Sequence, residues 1–244
     1  MIKVPGFITV RSTSSRLPKK CLLPFGDGNV LEHIIRRAKH YGLDAIVCTS
    51  VDKSDDIIQR IAEREDVECF RGSMLNKLHR WRDCCDHFNI ERFHTVDADD
   101  PFFDGELMKK SYRVLHEGYD MVCPTESSSM GAAAVGYSLT RDIVDKASAL
   151  TKKNEDTEMM WHYVSKVKGL RKIVLPEDEG SQAKVRLTLD YEEDYCLLQT
   201  VRRILGNLAS REDINELFWR NPDLHQVNWF RNEEWAKGQR ARTA

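Results

Sequence analysis

No stretch of this 244-residue chain approaches the ~18 consecutive apolar residues of a membrane-spanning helix, and it holds no internal repeat, low-complexity tract or long linker. The signatures of several enzyme classes are also missing. There is no GxxxxGK[ST] phosphate loop, no GxSxG nucleophile elbow, and no HExxH spacing among the eight histidines. The seven cysteines are odd in number and irregularly spaced. Cys84 and Cys85 are adjacent, which suits neither a disulfide framework nor a four-ligand zinc site, so reduced structural thiols are expected. A formal net charge of −2 leaves no basic footprint for general nucleic-acid binding. The opening Met1-Ile2-Lys3-Val4-Pro5 lacks the length and cleavage pattern of a secretory signal, so a cytoplasmic location is expected.

What is present is an ordinary globular composition, 41% apolar and 31% charged. A compact chain of this size buries roughly 70–75% of its unfolded surface and needs no disulfides to hold a core. Short β-rich runs at Phe7–Val10, Asp44–Thr49, Val67–Phe70 and Arg92–Val96 alternate with segments of helical period. Asn29 with Glu32, and Ser210 with Asp213, read as capping boxes, and Ser54 as the start of a helix. Further strands are expected at Met121–Cys123, Ala134–Leu139, Lys172–Leu175 and Val185–Leu189. Further helices are expected at Leu75–His87, Gly105–Glu117, Thr140–Leu150, Glu155–Val167 and Glu192–Leu205. Strand–helix alternation with short connections predicts βαβ units on a mainly parallel sheet, a three-layer α/β/α Rossmann-like fold. Residues 1–222 are expected to form one domain and 223–244, with Trp229, Phe230 and Trp235, a C-terminal extension.

Ligands of open α/β sheets bind at the carboxyl ends of strands. Directly after the first strand, Arg11 to Lys20 carries four hydroxyls, two arginines and two lysines in ten residues. Arginine forks, lysine point charges, hydroxyls and backbone amides are the groups that cradle phosphate oxygens, although a solvated basic loop would have the same composition. In Arg11, Ser14, Arg16, Leu17, Pro18 and Lys20 the segment resembles the R-x-x-S-x-R-L-P-x-K opening of spore-coat-polysaccharide-type cytidylyltransferases. The 3-deoxy-manno-octulosonate and acylneuraminate cytidylyltransferases are more distant relatives of that type. The resemblance continues at Leu31–Arg37, Phe70–Ser73, Asp97–Pro101 and Arg186–Asp194, covering most of residues 6–205, and is weakest between about 124 and 184. Lys19 stands where these proteins usually carry glycine, and Val10 where they carry alanine.

The resemblance implies a nucleotide-diphospho-sugar transferase fold and a nucleotidyltransferase that moves CMP from CTP to a sugar-type acceptor, an acidic keto-sugar or a sugar phosphate. Pyrophosphate would be released, in surface-polysaccharide or glycan biosynthesis. It implies Mg²⁺ held by Asp99 and Asp190, and catalysis by Lys20, Arg16 and Asp99. The nucleotide would lie on Val10, Arg11, Ser12, Ser14, Ser15, Arg16 and Lys20, with Arg71-Gly72-Ser73 near the base. The acceptor candidates are Arg186 and the stretches Ser128–Gly131 and Glu155–His162, with Gly131, Glu155 and His162 foremost; segment 124–184 shapes the acceptor pocket or a dimer contact, and a homodimer is expected. From the residues alone, the aspartates of 97–100 also serve as turn caps, Asp190 as a helix N-cap, Asp194 as a reinforcement of the metal site or part of a solvated helix face, and Arg186 as an ion-pair partner. Asp97-Ala98-Asp99 also matches the DxD triplet of metal-dependent GT-A glycosyltransferases, and a nucleotide-binding protein without turnover is a further alternative.

Overall fold

The computed structural model describes residues 3–14, 16–177 and 184–241. In chain order the elements are β1 (Val4–Thr9), β2 (Pro24–Phe25), β3 (Gly28–Asn29), α1 (Val30–His40), β4 (Leu43–Ser50), α2 (Asp56–Arg64) and β5 (Glu68–Gly72). Then follow α3 (Lys77–Phe88), β6 (Arg92–Asp97), α4 (Gly105–Leu115), β7 (Met121–Cys123), β8 (Ser138–Thr140), α5 (Arg141–Ser148) and α6 (Met160–Val164). β9 (Lys172–Val174), α7 (Glu192–Leu205), α8 (Arg211–Arg220) and α9 (Arg231–Ala241) complete the chain.

Seven strands form one sheet in the order β5-β4-β1-β6-β8-β7-β9, and β2 and β3 make a separate two-stranded ribbon. β5, β4, β1 and β6 run parallel, β8 is antiparallel to both β6 and β7, and β9 is parallel to β7. Successive side chains along a strand enter opposite layers. On β1, Ile8 packs with α1, α2 and α7, while Phe7 packs with α3, α5 and α6. On β4, Ala45 and Val47 face the first layer, and Ile46 and Cys48 the second. The result is the α/β/α sandwich that the strand–helix alternation predicts.

The chain leaves β1 toward β4 and β5 on one side, then returns to place β6 on the other. β1 and β6 therefore flank the topological switch point, where the carboxyl ends of neighbouring strands open a crevice. The loop Arg11–Lys20 leaves β1 at that point, and Asp97–Pro101 leaves β6 beside it.

Both capping boxes form as expected. The Asn29 side chain accepts from the Glu32 amide while Glu32 accepts from the Asn29 amide, and Ser210 and Asp213 do the same for α8. Ser54 does not cap a helix: Asp52 accepts from its amide, and Asp55 sits at the N-cap of α2. Val185–Leu189 is not a sheet strand. It runs extended across the crevice, Leu187 donating to the Gly131 carbonyl and Leu189 to the Asp99 carbonyl, so its backbone partners are loops. Glu155–Val167 is helical only in α6, because Thr157 and Glu158 turn toward α3. Among the described residues no helix is long and apolar enough to cross a membrane.

The second layer is anchored by Phe93, fully buried, with its ring stacked 4.1 Å from Phe7 and edge-on to Trp81 at 5.6 Å. Phe93→Ala removes both ring contacts, and a loss of about 3–5 kcal/mol is expected in a urea unfolding series.

Candidate active site

A cavity of ≈ 680 Å³ opens at the switch point, lined by the β1 loop, the 97–100 turn, segment 128–137, residues 158–161 and Asp190. At its floor the Lys20 ammonium lies 2.8 Å from Asp99 Oδ2 and 2.8 Å from Asp190 Oδ1. Arg16 reaches the same Asp190 oxygen at 2.6 Å. Burial disfavours the Lys20 charge, but the two carboxylates outweigh it and raise its pKa above the ordinary lysine value. Burial likewise opposes ionisation of Asp190, yet Lys20 and Arg16 together draw its pKa below the usual range.

The loop that carries these cations is held from below. Ser12 donates from both its amide and hydroxyl to Asp55 Oδ1, and Ser50 donates to the other Asp55 oxygen. Lys19 adopts φ 55°, ψ 28°, the left-handed conformation favoured by glycine, and from it the backbone turns into the short helical turn bearing Lys20. A position that glycine would fill without strain is thus occupied here by lysine.

Asp190 is braced from behind. Arg186 is fully buried and makes a two-pronged pair with Asp194, Nε to Oδ1 at 2.9 Å and Nη2 to Oδ2 at 3.0 Å. Asp194 in turn accepts from the amides of Asp190 and Tyr191 at 2.9 and 3.0 Å, satisfying donors at the start of α7, and from Asn228 at 2.9 Å. Neither a solvated helix face nor a metal ligand describes Asp194; it is an anchor for the backbone that presents Asp190.

A second chain of charges runs along the cavity's other wall. Arg11 donates to Glu158 at 2.9 Å; Glu158 accepts from Lys77 at 3.2 Å; Lys77 reaches Asp97 at 3.3 Å and lies over the Trp81 ring. The Lys77 ammonium beside it, with help from Arg11, holds the Glu158 carboxyl down at about 2 against the opposing effect of burial. Carboxylate oxygens of Asp97, Asp99 and Asp100 lie within 4.8 Å of one another. Burial, compounded by this mutual repulsion, pushes Asp97 up and Asp100 well up. A dense set of hard oxygen donors with excess negative charge fits a divalent cation such as Mg²⁺.

The structure brings Val10, Arg11, Ser14, Arg16, Lys20, Asp99, Gly131 and Asp190 to the cavity wall. Ser12 lies beneath, spent on Asp55 and Ser54. Ser15 falls outside the described residues. Arg71 is away from the wall, its guanidinium bonded to the Ser50 and Asp52 carbonyls, Gln59 and Asp56, where it ties β5 to α2. Gly72 packs against Phe70 and Arg80, and Ser73 accepts from the Asn76 amide, so the Arg71-Gly72-Ser73 turn is internally engaged. Arg186 stands behind Asp190, and its remaining prong goes to Asn232. Glu155 bonds to the Lys152 amide and the Tyr163 hydroxyl, and neither it nor His162 lines the cavity. Burial pushes His33 and His94 down to about 4 and about 3, and both serve as neutral core groups bonded to the Pro101 carbonyl and to Ser138.

Lys77 was not anticipated, and Glu158 was anticipated only as a member of the stretch Glu155–His162. Lys77 had a signal: it sits four residues before Trp81 on the buried stripe of α3 that continues through Cys84 and Cys85, a place where a cation needs partners. Glu158 lies in an irregular turn with no period to single it out, so the sequence placed it no more finely than that stretch.

Residues 6–195 match the cytidylyltransferase family. The chain is 25% identical over 231 residues to the spore coat polysaccharide biosynthesis protein SpsF of Bacillus subtilis, covering 88% of this chain and 94% of that protein. Its fold is that of a cytidylyltransferase from Leptospira borgpetersenii, at TM-score 0.81 and 24% identity over 93% of this chain and 98% of that one. The CTP complex of CMP:2-keto-3-deoxy-manno-octonic acid synthetase superposes at TM-score 0.59 and 13% identity, covering 84% of this chain and 99% of that one.

Relief of the left-handed strain by Lys19→Gly is expected to raise stability by about 1 kcal/mol, read as a shifted urea midpoint. Because the Glu158 pKa lies below its unfolded value near 4.5, its contribution to stability is complete above that pH and is lost as pH falls toward about 2. Unfolding free energies measured across this window should fall less steeply for Glu158→Gln than for the unaltered protein.

Proposed function

The chain belongs to the cytidylyltransferase family, and from that premise we propose that it carries out Mg²⁺-dependent transfer of CMP from CTP to a sugar-type acceptor, an acidic keto-sugar or a sugar phosphate, releasing pyrophosphate in surface-polysaccharide or glycan synthesis. The observation that carries this reading is the meeting of the Lys20 ammonium with the carboxylates of Asp99 and Asp190 at the floor of the cavity.

An acceptor oxygen attacks the α-phosphorus in line, and the bond to the bridging oxygen of pyrophosphate breaks. Such a reaction asks the protein mainly for positioning and for neutralisation of developing charge. Arg11 and Ser14 hold the triphosphate, and the loop's tie to Asp55 keeps them in register with β1. Lys20 stays charged at any working pH and, with Arg16, neutralises the departing pyrophosphate. Asp99 and Asp190 would hold Mg²⁺, whose bound charge polarises the α-phosphate. Arg186 acts through Asp194 by fixing the backbone of Asp190. Gly131, Glu158 and Trp161, cavity-lining members of the two stretches expected to meet the acceptor, would contact it.

A pyrophosphate-release screen of the four nucleoside triphosphates against acidic sugars and sugar phosphates should select CTP. Lys20→Ala should lower turnover at least about 10²-fold, the scale of losing one preorganised charge-stabilising group. Near-normal release by that variant would remove Lys20 from the chemistry. Thermal stabilisation by a UDP- or GDP-sugar instead of CTP with Mg²⁺ would favour a glycosyltransferase.

A further inference from the structure

Helix α9 lies beyond the family-matched residues, yet it reaches the active cavity: Trp235 and Ala236 form part of the wall. Three contacts seat it there. Arg231 makes a two-pronged pair with Glu193, at 3.1 and 2.9 Å, and its guanidinium lies 4.6 Å from the centre of the Tyr191 ring. The Asn232 side chain accepts from Arg186 Nη1 at 2.9 Å. The Arg186 guanidinium carbon lies 5.8 Å from the centre of the Trp235 ring. Each of these partners belongs to the segment that presents Asp190. The helix also runs beside two residues of the cavity wall, Gly131 and Arg16. At one end Asn232 crowds Gly131, where an added Cβ would meet its Oδ1 at 3.2 Å. At the other, an added Cβ on Gly238 would lie 3.8 Å from Arg16 Nη1.

An aromatic side chain held half-buried at a polar cavity wall has two uses, packing the wall or contacting what enters. The core of the first layer closes without Trp235, which is absent from its packed residues. The helix itself is polar, and its hold on the body is largely ionic and partly exposed, with Arg231 and Glu193 side chains 28% and 31% accessible. Such ties are individually weak and reversible, which suits a segment that must let a nucleotide in and then cover it.

We propose that α9 closes over the nucleotide bound in this cavity, with Trp235 as a substrate-contacting residue and Arg231 and Asn232 as the latch that seats it. The proposal rests on the reading of the cavity as a CTP site. Closure excludes water from Arg16, which lies beside Gly238, and from Asp190, which Arg16 meets at 2.6 Å, and such charges act more strongly as the local dielectric falls. It also couples the tail to the chemistry through Arg186, because one guanidinium holds both Asn232 and the anchor of Asp190.

The test uses the full-length protein with CTP and Mg²⁺ as probe, following binding by thermal shift and calorimetry and amide exchange across residues 231–241. Saturating CTP with Mg²⁺ should slow exchange in that helix several-fold. Trp235→Ala and Arg231→Ala should each weaken CTP binding about tenfold, Trp235→Phe much less, and Trp219→Ala, exposed on α8 outside the cavity, not at all. If CTP binds while exchange in α9 is unchanged and Trp235→Ala binds normally, the lid is rejected and the nucleotide site stands. If no CTP binding occurs at millimolar concentration, both are rejected together.

Discussion

One ammonium group joins the two halves of this protein. Lys20 is drawn to carboxylates 79 and 170 positions away in sequence, and it reaches both at 2.8 Å. Either carboxylate alone at that depth would carry a desolvation penalty, and the lysine would carry its own. Together they are tolerable, and the arrangement holds the loop after β1, the turn after β6 and the start of α7 around one point. Everything a phosphoryl-transfer site needs is then within reach of that point: cations for an anionic substrate, oxygens for a divalent cation, and an open crevice above.

The arrangement depends on supports that touch no substrate. Asp55 holds the β1 loop through Ser12 and Ser50. Arg186, Asp194 and Asn228 form a buried network in which both prongs of the guanidinium and both oxygens of the carboxylate are used. The Asn228 side-chain oxygen is left without a partner, but the remaining bonds hold Arg186 and Asp194 to a narrow set of arrangements. Asp190 owes its position to this network rather than to a sheet strand, since the segment before it is bonded to the loops at Gly131 and Asp99. Arg186 and Asp194 therefore fix the backbone that carries Asp190.

Much of the scaffold was legible along the chain. The apolar runs that became β1, β4 and β6 announce themselves by composition, and α1 and α8 by their capping boxes, because those signals are set by neighbours within four residues. The loop Arg11–Lys20 was legible as a cluster of cations and hydroxyls directly after a strand, a composition that by itself fits a solvated loop as well. Segment 155–167 misled, since its helical period was overridden by the pull of Glu158 toward Lys77 and Arg11. Val185–Leu189 misled similarly, its β-like composition satisfied by loop carbonyls in place of a ladder.

Sequence by itself determined the identity of the parts: the strand–helix alternation, the basic loop at Arg11–Lys20, and the acidic turn at Asp97–Asp100. It could do so because hydrophobic period, capping and turn chemistry act over a few residues. Only the tertiary structure decided the partnerships, namely Lys20 with Asp99 and Asp190, Lys77 with Asp97 and Glu158, and Arg186 with Asp194 and the C-terminal helix. Charges pair across whatever gap the packed sheet and helices leave between them, and that gap is a property of the assembled layers, to which no local stretch of chain has access.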